Sequence, residues 1–223
     1  MRTRPRAAIS WSGGKDSSAA LMRVHADYDV VAMITMFDED ERRSRSHGLR
    51  PTVVNAQAER LGLRRYTGQS SWTRYDEEFG RVLMNVAADG ITHVVFGDIL
   101  FDEQRQWAER QCAAHGLIAV EPLFGHSTLA LFHDWIASGA DATIVTVRDS
   151  SLDRSYLGRT LTADLLPAFL ARGVDPCGEH GEYHTVVTDM PLFDRPLRLA
   201  AGEAVFVSGC WALDYEVAVA ARV

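Results

Sequence analysis

Residues 12–18 read Ser-Gly-Gly-Lys-Asp-Ser-Ser, and this stretch decides the fold. The apolar run at residues 7–11 ahead of it predicts a buried strand, and residues 18–24 behind it predict a helix. Glycines allow the backbone to pass close to a ligand at such a turn, and the start of a helix presents free N–H groups. A glycine pair at a strand-to-helix turn, followed by a lysine and hydroxyls, therefore indicates a phosphate-binding loop.

The first half of the chain alternates between strand-like and helix-like patterns. Strands are predicted where short apolar runs occur, at residues 7–11, 29–37, 63–67, 93–96 and 117–120. Helices are predicted between them, at residues 18–24, 51–61, 76–88 and 102–115. This order is typical of βαβ units, so we expect a Rossmann-like α/β fold whose parallel sheet is covered by helices on both faces.

The second half of the chain is less regular. Helices are predicted at residues 129–138 and 161–171, and strands at residues 142–147, 197–199, 204–207 and 215–219. We therefore expect a smaller C-terminal α+β lobe. The expected division is a nucleotide-binding domain at residues 1–125 and an acceptor lobe at residues 126–223.

Composition narrows the classes of function. The chain has 223 residues, of which 47% are hydrophobic and 24% charged, as in ordinary globular proteins. A formal net charge of -7 argues against a general nucleic-acid binder. No apolar run is long enough to cross a membrane or to form a signal peptide. Cys112, Cys177 and Cys210 are widely spaced, so we expect reduced thiols and a cytoplasmic protein.

The phosphate loop is not of the Walker type, because it lacks the second glycine at the required spacing and an aspartate follows its lysine. It resembles instead the SGGxDS signature of the PP-loop ATP pyrophosphatases, whose fold is the HUP type of Rossmann-like sheet. The resemblance implies cleavage of ATP to AMP and pyrophosphate, with Mg²⁺ held by Asp16. It also implies that the residues around the phosphates are Ser12, Gly13, Gly14, Lys15, Asp16, Ser17 and Ser18.

Other strand ends complete the expected nucleotide site. Ligands of parallel sheets bind at the carboxyl ends of the strands. We therefore expect the adenine near Thr35 and Met36, and further contacts with metal or nucleotide at Gly97 and Asp98, although an acid at a strand end is often only a helix cap. The chain has no Gly-x-Gly-x-x-Gly fingerprint, so a nicotinamide cofactor is not expected.

A second unusual segment, residues 175–185, reads Asp-Pro-Cys-Gly-Glu-His-Gly-Glu-Tyr-His-Thr. Its simplest interpretation is a turn-rich connection with solvated acids. Cys177, His180 and His184 are potential zinc ligands, but no fourth ligand follows at a matching spacing. We therefore predict that this segment is not a zinc site.

The same segment resembles the C-terminal signature of the diphthine–ammonia ligase family of PP-loop proteins. Residues 178–185 and 191–193 are similar to that family's Gly-Glu-x-Gly-Glu-aromatic-x-Thr and Pro-Leu-Phe elements. Residues 157–159 (Leu-Gly-Arg) and 122–125 (Pro-Leu-Phe-Gly) resemble two further family elements. Many relatives carry an aromatic-rich segment where this chain has residues 46–50, and His47-Gly48 is similar to a bacterial subgroup.

The resemblance implies an amide ligase that uses ATP, ammonia and a carboxylate acceptor. The carboxylate attacks the α-phosphate, pyrophosphate leaves, and ammonia displaces AMP from the acyl-adenylate. Catalytic roles are implied for Lys15, Asp16, Glu179 and Glu182, the glutamates binding ammonium or accepting its proton. Arg159 either holds the acceptor's carboxylate or forms a salt bridge within the chain. The implied acceptor-side residues are Arg159, Gly178, Glu179, Gly181, Glu182, His184 and Thr185.

Two other functions stay open. A PP-loop enzyme of tRNA or cofactor modification often carries paired cysteines, whereas these three are isolated and the net charge disfavours tRNA. A non-catalytic nucleotide-binding module agrees less well with an intact loop plus a second acid-rich motif. The sequence does not identify the acceptor, and it leaves a homodimer open.

The two motifs lead to a geometric prediction. We expect residues 178–185 to face residues 12–18 across a shared cleft, with Glu179 and Glu182 pointing at the ligand. An adenylate must be protected from water until the amine arrives, so a second loop over the ATP site is chemically useful. The alternative is a surface turn on the far side of the molecule.

Overall fold

The computed structural model describes residues 3–218. Its first sheet has five parallel strands in the order β3-β2-β1-β4-β5. The strands are β1 (Arg6–Ser10), β2 (Asp29–Phe37), β3 (Arg64–Gln69), β4 (His93–Val95) and β5 (Ile118–Val120). The helices between them are α1 (Lys15–Val24), α2 (Pro51–Leu61), α3 (Tyr75–Ala88) and α4 (Asp102–Ala114).

Helices cover both faces of this sheet, as predicted. Ile9 of β1 shares a core with α1 and α2, whereas its neighbour Ala8 shares a separate core with α3 and α4. Successive side chains of a strand point to opposite faces, so a strand between two helical layers needs apolar residues at every position. This explains why β1 and β2 read as continuous apolar runs instead of alternating ones.

The second sheet is antiparallel, with the strand order β7-β6-β9-β8. Its strands are β6 (Asp141–Arg148), β7 (Tyr183–Asp189), β8 (Leu199–Val207) and β9 (Cys210–Val217), accompanied by helices α5 (Thr128–Ala137) and α6 (Leu166–Ala171). Ile144 of β6 and Val186 of β7 belong to the same buried core as Leu21 of α1. The second sheet therefore packs on the α1 and α2 side of the first.

Gln57 of α2 ties the two sheets together. Its side chain is 0% exposed. The Nε2 atom donates to the carbonyl oxygens of Gly13 and Val187, each at 2.9 Å, and the Oε1 atom accepts a hydrogen bond from the indole of Trp11 at 2.9 Å. The amide of Val187 also donates to the carbonyl of Gly13 at 2.9 Å. These bonds fix strand β7 against the phosphate loop.

The second half departs from the sequence prediction in several places. Strand β7 was not predicted, and the helix expected at residues 161–171 is an α-helix only over Leu166–Ala171, preceded by a 3-10 turn. The strand predicted at residues 197–199 begins only at Leu199, where it runs on as β8. The strand predicted at residues 215–219 ends at Val217, and its last residue, Val219, lies outside the described residues. Within residues 3–218, no helix is long and apolar enough to span a membrane.

Candidate active site

The phosphate loop turns at Gly13 and Gly14, between β1 and α1. Gly13 has a φ of +85°, a conformation that side chains with a Cβ rarely adopt. A Cβ on Gly14 would lie 2.9 Å from the carbonyl oxygen of Thr185, which is too close for a real contact. A Cβ on Gly97, at the end of β4, would lie 2.9 Å from the backbone nitrogen of Ser17. The start of α1 is therefore enclosed between β7 and the end of β4, and the glycines make the close approach possible.

Lys15 is the first residue of α1 and is only 5% exposed. Its backbone N–H donates to the hydroxyl of Thr185 at 3.1 Å, and its Nζ donates to Asp16 at 2.9 Å and to the carbonyl oxygen of Cys177. Burial, the largest single effect, lowers the pKa of Lys15, but Asp16 together with Tyr183 and Cys177 outweighs it, so the pKa lies above its ordinary value. Lys15 therefore stays charged at every physiological pH.

Residues 175–182 form a compact turn held by two acidic side chains. The carboxylate of Glu182 accepts the backbone N–H groups of Asp175 and His180, each at 3.0 Å. Asp175 accepts the N–H groups of Cys177 at 2.8 Å and of Glu179 at 3.3 Å. The expectation that Glu182 points at a ligand is therefore wrong, because both of its oxygens are used inside the turn and the residue is 5% exposed.

The phosphate loop and this turn line the same cavity, of about 310 Å³. The prediction of a shared cleft is thereby confirmed, and the alternative of a turn on the far side is wrong. The cavity-lining residues that the sequence pointed to are Ser12, Lys15, Asp16, Ser17, Met36, Gly97, Asp98, Gly178, Glu179, Gly181, His184 and Thr185.

Several predicted site residues do not line the cavity. Arg159 lies outside the lining, and its guanidinium pairs with Asp164 at 3.4 Å. The hydroxyl of Thr35 donates to the carbonyl of Trp11 at 3.0 Å, and that of Ser18 donates to the carbonyl of Gly14 at 2.9 Å. These side chains hold the local backbone, as Glu182 does. Gly13 and Gly14 shape the loop without facing the cavity.

The cavity concentrates acidic groups from three separate elements. Burial raises the pKa of Glu179 from 4.5 to about 8, and the nearby charge of Asp16 adds to the shift. Burial, again helped by Asp16, raises the pKa of Asp98 from 3.8 to about 6. When carboxylates raise one another's pKa, a bound cation lowers those pKa values again because it stabilises the ionised forms. Residues 3–218 contain no group of three or more His, Cys, Asp or Glu placed to hold a metal ion. Mg²⁺ commonly binds one or two carboxylates together with substrate phosphates and waters, so Asp16 fits the metal that the resemblance implies.

Two histidines form a neutral part of the wall. The rings of His47 and His184 stack with their centroids 4.7 Å apart, and the Nδ1 of His47 lies 2.8 Å from the carbonyl oxygen of Thr185. Burial lowers the pKa of His47 to about 4 and that of His184 to about 3. Because a carbonyl can only accept, Nδ1 of His47 carries the proton and Nε2 is left as an acceptor.

Sequence reasoning missed Arg45, His47 and Tyr75 as site residues, although all three line the cavity. Burial raises the pKa of Tyr75 to about 12; the charge of Asp98 adds to the shift, and Arg45 opposes it. Arg45 and His47 lie in the loop after β2. The rule that ligands bind at the carboxyl ends of strands would have identified this loop.

Cys177 is a buried residue of this turn. Its thiol donates to the carbonyl oxygen of Thr128 at 3.3 Å, and burial raises its pKa to about 12. The thiol is therefore protonated and unreactive at neutral pH. The predicted absence of zinc from this segment stays a prediction.

A parallel sheet whose first strand leads through a glycine pair into a helix start, with a buried lysine facing a cavity, is typical of Rossmann-like α/β proteins that bind nucleotides. Comparison with known proteins gives the family. The family model described as the diphthamide synthase N-terminal domain matches residues 5–119, and that of the diphthamide synthase C-terminal domain matches residues 127–219. The chain belongs to the diphthamide synthase family.

Individual relatives agree with this assignment. The chain is 30% identical to the diphthine–ammonia ligase of Rattus norvegicus, over 91% of the chain and 86% of that protein. It is 30% identical to the diphthine–ammonia ligase of Schizosaccharomyces pombe over 87% of the chain, but this match spans only 36% of the longer yeast protein.

A solved structure described as a predicted subunit of tRNA methyltransferase from Methanocaldococcus jannaschii superposes with a TM-score of 0.44 at 17% identity, covering 83% of this chain and 98% of that one.

Proposed function

We propose that this chain is an ATP-dependent ligase that converts a carboxylate into an amide with ammonia. The observation that carries the proposal is the cavity shared by Lys15, at the start of α1, and Glu179, from a turn more than half the chain away. The residue that helps to activate the carboxylate and the residue that accepts a proton from the amine must act at the same carbon of the substrate. A cavity lined by both Lys15 and Glu179 supports this arrangement. The relatives named diphthine–ammonia ligase support the same chemistry.

In the first step, an oxygen of the acceptor's carboxylate attacks the α-phosphorus of ATP. The bond from that phosphorus to the bridging oxygen breaks, and pyrophosphate leaves. The backbone N–H groups at the start of α1 and the ammonium of Lys15 stabilise negative charge on the phosphates. Ser12 lies in the same wall and supplies a hydroxyl donor, whereas the Ser17 hydroxyl donates to the Gly14 carbonyl at 3.2 Å.

Asp16, with phosphate oxygens of the nucleotide, would hold Mg²⁺. When bound, the metal neutralises phosphate charge and favours departure of pyrophosphate. The other carboxylates of the cavity also gain from this arrangement, because a cation restores the ionised forms that burial disfavours.

In the second step, ammonia attacks the carbonyl carbon of the acyl-adenylate, and the carbon–oxygen bond to AMP breaks. The nitrogen must lose a proton, and Glu179 is the base that we assign to it. With a pKa of about 8, Glu179 is a stronger base than an ordinary carboxylate, and its ionised fraction rises as pH approaches 8. The neutral imidazole of His47 offers Nε2 as an acceptor for a further N–H of the amine.

Product analysis tests the proposal. Purified protein incubated with Mg·ATP, ammonium and a bacterial extract as the source of acceptor should form AMP and pyrophosphate in equal amounts. Omission of ammonium should lower the turnover. Stoichiometric ADP and orthophosphate, absent from the control with Lys15→Met protein, would contradict the assignment.

A further inference from the structure

Arg45 is placed between the cavity and an exposed tryptophan. Its backbone N–H donates to the carbonyl of Met36, at the end of β2, at 2.9 Å, and its side chain lines the cavity. The carbon of its guanidinium lies 3.9 Å from the centroid of the Trp72 ring. Trp72 is 68% exposed and stacks in turn near Tyr75, with ring centroids 5.8 Å apart. One face of the guanidinium is therefore covered by an aromatic ring.

The guanidinium of Arg45 lacks a partner within the described part of the chain. Its Nε atom is buried and makes no hydrogen bond, and no carboxylate of residues 3–218 lies within 4 Å of it. Lys15, the other cation of the cavity wall, is paired with Asp16. A buried donor without an acceptor is destabilising, and a bound ligand or water is one way in which native proteins satisfy such a group.

We propose that Arg45 binds the carboxylate of the acceptor, with Trp72 holding the plane of its guanidinium. The inference rests on the proposed ligase function, since it names the residue that receives the second substrate. Two parallel N–H donors of a guanidinium match the two oxygens of a carboxylate. The sequence suggested Arg159 for binding the acceptor's carboxylate, but Arg159 forms an ion pair with Asp164 outside the cavity. We therefore assign this role to Arg45.

A carboxylate probe tests the binding directly. Protein labelled with [¹⁵N]arginine is titrated with sodium acetate against sodium chloride of equal ionic strength, and the Nε–H resonances are followed by NMR. The Nε–H signal of Arg45 should move downfield and saturate with acetate but not with chloride. The signal is assigned by its loss in Arg45→Lys. Arg42, which carries the same charge in the same loop, is 77% exposed and paired with Asp40, so its signal serves as the control.

A phosphate of ATP is the competing ligand for this guanidinium. If Arg45 serves the acceptor, the Kd of Mg·ATP in Arg45→Gln should stay within about twofold of that of the wild type. A rise of about tenfold or more would assign Arg45 to the nucleotide and overturn the proposal. Trp72→Leu should weaken the acetate response while leaving the ATP Kd unchanged, because it removes only the support of the guanidinium.

The outcomes separate this inference from the proposed function. An acetate response at Arg45 in a protein that forms no AMP would refute the ligase while leaving a carboxylate site in place. An Arg45 signal that does not respond, in a protein that does release pyrophosphate, would refute the Arg45 assignment alone. Circular dichroism and the Tm of each variant establish that it is folded before either comparison is made.

Discussion

At the residue scale, Glu179 and Glu182 show how similar side chains in one motif take different tasks. Glu182 is buried and accepts two backbone N–H groups of its own turn. Glu179 faces the cavity among other acids. The sequence could predict that acids and glycines crowd this segment. It could not predict which acid points inward, because this depends on where the free N–H groups of the turn lie.

Glu179→Gln should change the pH dependence of stability. The native pKa of about 8 exceeds the ordinary value of 4.5, so the native state binds a proton that the unfolded state has lost between these values. The contribution of Glu179 to the free energy of unfolding of the wild type therefore falls as pH rises from 4.5 to 8. Glu179→Gln has no carboxylate to ionise at this position, so it avoids this decrease in the free energy of unfolding. It should be more stable than the wild type at pH 8 in metal-free buffer, and urea denaturation measures the difference.

Glu103 provides the control for this experiment, since it is an exposed glutamate on α4 and Glu103→Gln makes the same change of charge. That variant should follow the wild type at every pH. If Glu179→Gln also follows the wild type from pH 4.5 to 8, the carboxylate is not perturbed as described. We also expect Glu179→Gln to lower amide formation by about 10²-fold or more, the usual loss for a general base.

Glu182→Gln should damage the turn and not the chemistry directly. An amide has one acceptor oxygen where the carboxylate has two, so a backbone N–H of Asp175 or His180 loses its partner. The expected loss in the free energy of unfolding is about 1–3 kcal/mol, measured by urea denaturation at pH 7. If Glu182→Gln is as stable as the wild type but inactive, Glu182 has a direct catalytic role and this interpretation is wrong.

At the element scale, an ionic clamp fixes the loop between β2 and α2. Asp214 of β9 accepts hydrogen bonds from Arg43 and from Arg50, the latter through Nε at 2.9 Å. Desolvation opposes ionisation of Asp214, but the two guanidinium groups outweigh it and hold its pKa well below the usual range. Because Arg45 and His47 lie between the two arginines, the clamp positions part of the cavity wall.

Asp214→Asn should release this loop. We expect faster amide hydrogen exchange over residues 43–50 and a loss of about 1–2 kcal/mol in the free energy of unfolding, since charged hydrogen bonds at a half-exposed site are replaced by neutral ones. Glu216→Gln is the matched control, because Glu216 forms an ion pair with Arg50 and is 60% exposed. Equal exchange rates in the wild type and Asp214→Asn would show that the loop is held without the clamp.

The elements that the sequence predicted best are those with a single strong pattern. The bounds Asp29–Phe37 and Pro51–Leu61 follow from an uninterrupted apolar run and from a proline-initiated amphipathic helix. Strand β7 was missed because the glycines and acids before Tyr183 mask its start and its alternation is short. The helix at Leu166–Ala171 was predicted too long because Pro167 fits only its first turn, so the residues before it do not continue the same helix.

At the scale of the whole molecule, the site depends on the packing of two sheets. The core that contains Ile9 and Leu21 continues into Ile144 and Val186, and Gln57 joins the phosphate loop to β7. No local pattern in the sequence reports contacts between residues 15 and 185. The shared cleft was predicted from chemical need alone, whereas its side-chain geometry required the structure. The domain boundary between residues 125 and 126 stays a prediction.

We propose that the start of α1, facing the 175–182 turn, binds the phosphates of ATP. Calorimetric titration with Mg·ATP tests it most directly, with Lys15→Met as the variant because methionine fills most of the buried volume without the charge. Arg23→Met in the same helix is the control, since Arg23 lies outside the cavity wall. The account predicts that the Kd rises at least about tenfold in Lys15→Met and not in Arg23→Met. Unchanged ATP binding by a folded Lys15→Met protein would contradict it.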